Sequence, residues 1–279
     1  MIFVAFSPAN RNIVVFTDLD GTLLDHTTYR FDAALPALRL LKKKNIPLIL
    51  CSSKTAAEIE RLRKQLRLRH PFISENGGGI FVPRGYFDQD FVHDKKTPDY
   101  AIIELGAPYS ELRAFLNRLQ KRFPDTIQGF GDLETEEVAR LCGLSVEEAR
   151  LAKQREHDEP FLLHEARLEA EIVREARAHG IQVTKGGRFY HLIGGNDKGR
   201  AVSILTDLFR QERGETTTVG IGDSLNDLAM LAAVDYPVLV KKPDHTYDPS
   251  VSLPNLILAS SPGPEGFCEA ILRLVNTLT

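Results

Sequence analysis

Ile13-Val-Val-Phe-Thr-Asp18-Leu-Asp20-Gly21-Thr22-Leu23 decides how the chain is read. Ile13–Thr17 is a continuous β-branched and aromatic run, the pattern of a strand covered on both faces in a parallel sheet. Two aspartates follow it directly, two residues apart, so on an extended chain they share one side. Gly21 then permits a sharp turn. In open α/β sheets ligands bind beyond the carboxyl ends of the strands, which places Asp18 and Asp20 at a crevice. Close carboxylates repel unless a cation or a shared proton offsets the charge. Asp-x-Asp alone is as readily a pair of solvated turn residues, and the flanking buried strand and Gly-Thr favour a site.

Working outward, Asp32 is expected to N-cap a helix through Leu35, Leu38 and Leu41, with Pro36 in its first turn. Ile46–Cys51 reads as a second buried strand and Thr55–Arg67 as a second helix. Near the other end, Thr217–Ile221 reads as a strand, Leu225–Ala233 as a helix and Leu256–Ala259 as a short strand. Strand and helix alternating in this way predict right-handed βαβ units. The expected fold class is α/β, a Rossmann-like parallel-sheet core with helices on both faces. The middle of the chain differs. Tyr100–Leu105 alternates, Glu111–Arg122 and Leu168–His179 are helical, and Glu136–Leu141 and Val146–Gln154 flank Gly143. Phe161–His164 reads as a strand, and a hairpin is expected around Gly186-Gly187. An inserted α+β cap domain is therefore expected at 83–192, with the core at 1–82 and 193–279.

The chain has 279 residues, 43% apolar and 26% charged, enough for one or two packed domains. A net charge of −3 from 35 basic and 38 acidic residues argues against nucleic acid as a partner. No apolar run approaches the roughly 20 residues of a membrane helix, and Met1–Phe6 lacks the basic leader of a signal peptide. Cys51, Cys142 and Cys268 share no metal-ligand spacing and cannot all pair, which suits a reducing compartment. A soluble cytoplasmic protein is expected. The basic runs Leu38–Lys44 and Arg61–Arg69 read as a helix end and a solvated helix face.

A second acidic cluster, Gly222-Asp223-Ser224-Leu-Asn226-Asp227, also follows an apolar strand. Two parallel strands of one sheet would bring Asp18 and Asp223 to the same edge, where carboxylate oxygens suit Mg²⁺. Ser224 or Asn226 capping the next helix is compatible with this. Ser52-Ser53-Lys54-Thr55 follows the second strand and opens a helix, offering a hydroxyl and N–H groups to an anion. Asp197-Lys198-Gly199 opens another helix, where a lysine can neutralise phosphoryl oxygens. Glu75-Asn76-Gly77-Gly78-Gly79 is expected to turn a hairpin between Phe72–Ser74 and Ile80–Val82, with close backbone approach to a ligand as a second reading.

Asp18-Leu-Asp20-Gly-Thr-Leu, Ser52 after a strand, Lys198-Gly and Gly-Asp223-Ser-x-Asn-Asp227 resemble, in order, the four motifs of the haloacid-dehalogenase superfamily of phosphohydrolases. The insert resembles the α/β cap of its sugar-phosphatase branch. Within that branch five segments look like the mannosyl-3-phosphoglycerate phosphatase family: Ser52-Ser-Lys-Thr, Glu75-Asn-Gly-Gly-Gly, Arg155-Glu-His-Asp-Glu-Pro-Phe, Gly187-Arg-Phe-Tyr-His-Leu and Val240-Lys-Lys-Pro. The resemblance implies Asp18 as nucleophile, Asp20 as general acid and base, and Ser52 and Lys198 on the phosphoryl oxygens. It implies Mg²⁺ as cofactor, held by Asp18, the Asp20 backbone carbonyl and Asp223, with Asp227 as a ligand or a support.

A phosphorylated sugar derivative carrying a carboxylate calls for guanidinium groups and polar side chains. The expected substrate contacts are Ser53, Lys54, Asn76, Gly77 and Gly78, together with Arg155, Glu159, Arg188 and Asn226. His157, Tyr190 and His191 line the pocket or are satisfied core and edge residues. The implied reaction hydrolyses mannosyl-3-phosphoglycerate to mannosylglycerate, a compatible solute. Glucosyl-3-phosphoglycerate is the alternative substrate. A phosphomannomutase-like mutase and a non-catalytic sugar-phosphate sensor are the more distant readings. The sequence carries no signal for oligomeric state.

Overall fold

The computed structural model describes residues 12–186 and 189–279. The Met1–Phe6 segment lies outside these residues. In chain order the elements begin with β1 (Asn12–Thr17), α1 (Leu35–Lys43), β2 (Leu48–Cys51), α2 (Ala56–Leu66), β3 (Phe72–Ser74) and β4 (Gly79–Pro83). They continue with β5 (Lys95–Lys96), β6 (Tyr100–Glu104), α3 (Tyr109–Arg122), β7 (Ile127–Gly129), α4 (Thr135–Cys142), α5 (Val146–Ala152) and β8 (Asp158–Leu163). The remainder is α6 (Glu169–Ala178), β9 (Gln182–Gly186), β10 (Phe189–Ile193), α7 (Lys198–Arg213), β11 (Thr216–Gly222), α8 (Leu228–Ala232), β12 (Tyr236–Lys241), β13 (Ile257–Pro262) and α9 (Gly263–Leu278).

Residues 12–51, 85–91 and 202–279 form one compact unit. Its five strands are parallel, in the order β13-β12-β11-β1-β2. Ile13, Val14, Val15 and Phe16 are all buried, as their unbroken apolar run requires of a central parallel strand. The pairing Thr17↔Ile221 aligns the carboxyl ends of β1 and β11. Helix α9 lies on β12 and β13, and α8 on β11. The segment 85–91 is pinned by Phe87 and Tyr86 edge-on to Phe209, and by Gln89 Nε2 donating to the Leu208 carbonyl at 3.0 Å.

Asp32 does not cap α1. It opens a 3-10 turn, Asp32–Ala34, which puts Ala34 at the N-cap of α1, and its carboxylate pairs instead with Arg30 at 2.7 Å. Strand β2 begins at Leu48, one residue after Pro47, whose missing N–H cannot join a ladder.

Residues 52–84 and 92–201 form the second unit, which includes the first turn of α7. Its antiparallel strands run β3-β4-β6-β5, and a separate four-stranded sheet runs β7-β8-β10-β9. Leu112, Phe115, Leu116 and Leu119 on α3 pack with Phe161, Ile172, Tyr190 and Leu192 as its core. The hairpin between β3 and β4 and that between β9 and β10 form where expected. Thr55 and Ser145 close capping boxes with Glu58 and Glu148, and Gly143 ends α4 with φ +71°.

Candidate active site

Asp18 begins where β1 ends. Its N–H still donates to the Ile221 carbonyl at 2.9 Å, so the parallel ladder carries it to the edge beside Gly222. The chain then folds back sharply: Leu24 and Thr22 donate to the Leu19 carbonyl at 2.8 and 3.2 Å, and Gly21 has φ +82°. A Cβ on Gly21 would sit 2.8 Å from Asp223 Oδ2, so glycine is what lets the second acidic loop close on the first. Asp227 Oδ2 accepts the N–H groups of Asp223 and Ser224 at 3.0 and 3.3 Å, which fixes that loop.

As a result one carboxylate oxygen each from Asp18, Asp223 and Asp227 lies within 4.8 Å of the others. Asp18 and Asp227 are buried and Asp223 half-buried. Three carboxylates gathered this closely in low dielectric are mutually repulsive. An all-oxygen anionic donor set is what a hard divalent cation requires. The side chain of Asp20 is not among the three. Asn226 is exposed in the 3-10 turn Leu225–Asp227.

A second polar assembly is built within the other unit. Ser52 is buried, donates its N–H to the Ile73 carbonyl at 3.1 Å, and accepts from Lys54 N at 3.2 Å through Oγ. Lys198 is also buried, in the first turn of α7, and Asp197 caps that helix by accepting from Gly199 N at 2.7 Å and Arg200 N at 3.1 Å. Between these loops runs Glu75-Asn76-Gly77, three successive residues with positive φ (+47°, +58°, +91°). Asn76 N donates to the Ser52 carbonyl at 2.9 Å. A Cβ on Gly77 would collide with the Asp197 carbonyl and lie 2.7 Å from Lys198 N, while one on Gly78 would lie 2.5 Å from His157 Cβ. The close backbone approach expected of these glycines is to the protein's own Asp197, Lys198 and His157.

Arg155 is committed to the chain in the same manner. Its Nε donates to the Ala152 carbonyl at 2.8 Å and its Nη1 to the Ser53 carbonyl at 3.0 Å, with Asp158 at 3.5 Å. The same Asp158 carboxylate holds His191 Nδ1 at 2.9 Å. Glu159 is wholly buried and pairs with Arg113 at 2.7 Å, and the Arg113 guanidinium also bonds Asp132. Burial raises the Glu159 carboxyl above its usual range, against the pull of Arg113 and the Gly131 N–H. The Tyr109 hydroxyl, beside Glu159 and itself desolvated, is held well above its ordinary pKa. Glu75 is likewise wholly buried, and burial pushes its carboxyl up to about 8 although Arg155 opposes the shift. Tyr190 pairs with Glu169 at 2.6 Å and belongs to the core. Arg188 lies outside the described residues.

Glu75, Asn196, Arg113 and Tyr109 were not singled out from sequence, and no spacing rule marks them. Their importance comes from partners far away in the chain, as when Asn196 Nδ2 donates to the carbonyls of Glu75 and His157 at 2.7 and 2.9 Å.

A family model for haloacid dehalogenase-like hydrolases matches residues 15–104. A glucosyl-3-phosphoglycerate/mannosyl-3-phosphoglycerate phosphatase of Methanococcoides burtonii is 49% identical over 94% of this chain and 97% of its own. A mannosyl-3-phosphoglycerate phosphatase of Pyrococcus horikoshii is 36% identical over 86% of this chain and 95% of its own. A phosphatase of the haloalkanoate dehalogenase superfamily from Bacteroides thetaiotaomicron superposes with a TM-score of 0.69 over 100% of this chain and 99% of its own, at 16% identity, and so shares the fold. With Asp18 and Asp223 at the ends of adjacent parallel strands, and with relatives of this identity along nearly its whole length, the chain is a phosphatase and belongs to the haloacid dehalogenase-like hydrolases, in the family of glucosyl-3-phosphoglycerate/mannosyl-3-phosphoglycerate phosphatases.

Proposed function

We propose that the protein is a Mg²⁺-dependent phosphomonoester hydrolase that converts mannosyl-3-phosphoglycerate to mannosylglycerate and inorganic phosphate. The Asp18–Asp223–Asp227 cluster at the carboxyl edge of the parallel sheet carries this reading, because its donor set fits a hard cation next to a candidate nucleophile. The glucosyl ester is the second substrate, favoured by the double name of the Methanococcoides burtonii relative. Residues 1–82 and 193–279 would form the catalytic core and 83–192 the cap that selects substrate, in a soluble cytoplasmic enzyme. None of the described helices is long and apolar enough to cross a membrane.

Asp18 attacks phosphorus, and the bond from phosphorus to the leaving oxygen breaks as an aspartyl-phosphate forms. Asp20 gives its proton to that oxygen. It then takes one from the water that attacks the aspartyl-phosphate, which releases phosphate and restores Asp18. Asp18, Asp223 and Asp227, with the Asp20 carbonyl, would hold Mg²⁺, which when bound offsets the repulsion between carboxylate and phosphate. Ser52 donates a hydrogen bond to the phosphoryl oxygens and Lys198 neutralises them as charge moves onto them. Ser53, Lys54, Asn76 and Asn226 remain proposed substrate contacts, as does Arg188. For Arg155 and Glu159, and for Gly77 and Gly78, the proposed part is to shape the loops that carry those contacts.

The test is phosphate release, with and without Mg²⁺, from mannosyl-3-phosphoglycerate, glucosyl-3-phosphoglycerate, mannose 6-phosphate and 3-phosphoglycerate. Preference for the two glycosylated glycerates is expected. Equal rates on mannose 6-phosphate would remove the substrate assignment and leave the chemistry intact. Transfer of the phosphoryl group back to sugar, without free phosphate, would favour a mutase.

A further inference from the structure

Glu75 takes no part in the chemistry just described, yet three distant segments meet on it. Its buried carboxyl accepts the N–H groups of Glu156 at 2.9 Å and His157 at 2.6 Å. Its own N–H donates to the Lys54 carbonyl at 3.0 Å, and its carbonyl accepts from Asn196 Nδ2 at 2.7 Å. The neighbouring residues extend the junction: Asn76 N reaches the Ser52 carbonyl, and Gly77 packs against Asp197 and Lys198 with no room for a Cβ. Arg155 closes the ring by donating to the Ser53 carbonyl.

This junction runs against the intrinsic preferences of its residues. Glu75 and Asn76 both occupy the left-handed region, which the Cβ of an L-residue disfavours. A buried carboxyl adds a desolvation cost to that strain. A turn needed only to connect β3 with β4 would be served by glycine or asparagine with no buried acid. Strain that the surroundings over-determine gathers where geometry matters to function.

We propose that Glu75 is a positioning residue that fixes the Ser52 loop and the start of α7 at Lys198 in one rigid relation to the 155–159 loop, so that the groups for the phosphoryl oxygens are set before substrate arrives. The proposal rests on the phosphatase reading and on the assignment of Ser52 and Lys198 to those oxygens. Removing the Glu75 carboxyl leaves the N–H groups of Glu156 and His157 without an acceptor, and the loops lose their common anchor. Preset donors contribute to phosphate binding and to the transition state alike, since they need no reorganisation during the reaction.

The experiment compares full-length wild type with Glu75→Gln, Glu75→Ala and Asn196→Ala. It reads kcat, KM and the dissociation constant of inorganic phosphate by calorimetry, all in saturating Mg²⁺. Glu75→Gln keeps one acceptor oxygen and Glu75→Ala none, so phosphate affinity and KM are expected to worsen in that order, by about tenfold for glutamine. Asn196→Ala keeps the carboxyl but frees the Glu75 carbonyl, and should weaken phosphate binding as well. A purely structural Glu75 would lower only the folded fraction, reducing the apparent kcat while KM and phosphate affinity in the folded protein stay at wild-type values. That result overturns the proposal. If Glu75→Ala does not fold, the other two variants still decide. A wild type that binds phosphate but hydrolyses none of the esters would sink the phosphatase reading alone, and calorimetry would still test Glu75. A wild type that binds no phosphate would sink both.

Discussion

The acidic cluster at the end of β1 and β11 and the polar assembly around Glu75 are both buried and charged, but they are built differently. In the first, every side chain sits within a few residues of the end of a parallel strand. Adjacent strands in register bring Asp18 to Asp223, and Asp227 closes its own loop through the N–H groups of Asp223 and Ser224. In the second, the partners come from segments tens of residues apart: Glu75 with His157, Arg113 with Glu159, Asn196 with Glu75. The first gathers three carboxylates within 4.8 Å of one another, a donor set that suits a cation, whereas the second sets Arg113 against Glu159 and Arg155 against Asp158. Poised charge marks the chemistry, and compensated charge marks the support.

Altering the poised cluster should produce the largest difference between the two. Asp223→Asn is expected to raise the Mg²⁺ concentration for half-maximal activity by about 100-fold. It should also raise the melting temperature without metal, because one of three crowded carboxylates loses its charge. Thermal unfolding with and without Mg²⁺ checks this, since the ion should stabilise wild type and scarcely affect the variant.

Altering the compensated assembly should act in the opposite sense. Arg113→Ala strands the buried Glu159 carboxyl and is expected to cost about 3 kcal/mol of stability. Denaturant unfolding measures the loss, and the Mg²⁺ requirement of the folded fraction should not move. A stable Arg113→Ala would show that Glu159 is satisfied by Tyr109 and Gly131 without it.

Two glycines sharpen the contrast further. Gly77→Ala meets both a left-handed backbone and the Asp197 carbonyl, so it should cost more than about 2 kcal/mol and lower phosphate affinity. Gly143, also left-handed at the end of α4, has nothing within 4 Å of where a Cβ would sit. Gly143→Ala should cost about 1 kcal/mol and leave activity unchanged.

A dependence on pH separates the two regions in a further way. Burial raises the Glu75 carboxyl from 4.5 to about 8 in the folded protein, so folding takes up a proton between those values. The contribution of this group to stability is full below about pH 4.5 and is lost as pH rises through about 8. Glu75→Gln cannot titrate, so the stability gap between wild type and variant should narrow from pH 5 to pH 8.5. A constant gap would mean that Arg155 keeps Glu75 ionised throughout.

The same contrast accounts for what was legible in the sequence. Asp18, Asp20, Asp223 and Asp227 follow apolar β-branched runs, and strand periodicity with turn chemistry is local information. The hairpin at Glu75–Gly79 and the helices starting near Thr55 and Val146 were readable for that reason. β12 gave no clear signal because Pro237 interrupts it, and β5 is only two lysines long. Arg155 read as a ligand contact because an arginine in a Gly- or Pro-flanked segment is not simply a helix-surface charge, and Glu159 was expected beside it. The burial that commits them to Ser53, Asp158 and Arg113 depends on helices and strands distant in sequence. Glu75 was hidden for the same reason, since its N–H and carboxyl partners are visible only once the loops are assembled.

The central claim, that chemistry resides on the acid at the end of β1, is tested most directly by Mg²⁺-dependent phosphate release from mannosyl-3-phosphoglycerate by wild type and by Asp18→Asn. The variant keeps the fold and the shape of the site but has no nucleophile, so turnover should fall by about 10⁴-fold or more while the wild type releases phosphate. Asp18→Asn turning over within tenfold of wild type would contradict the account.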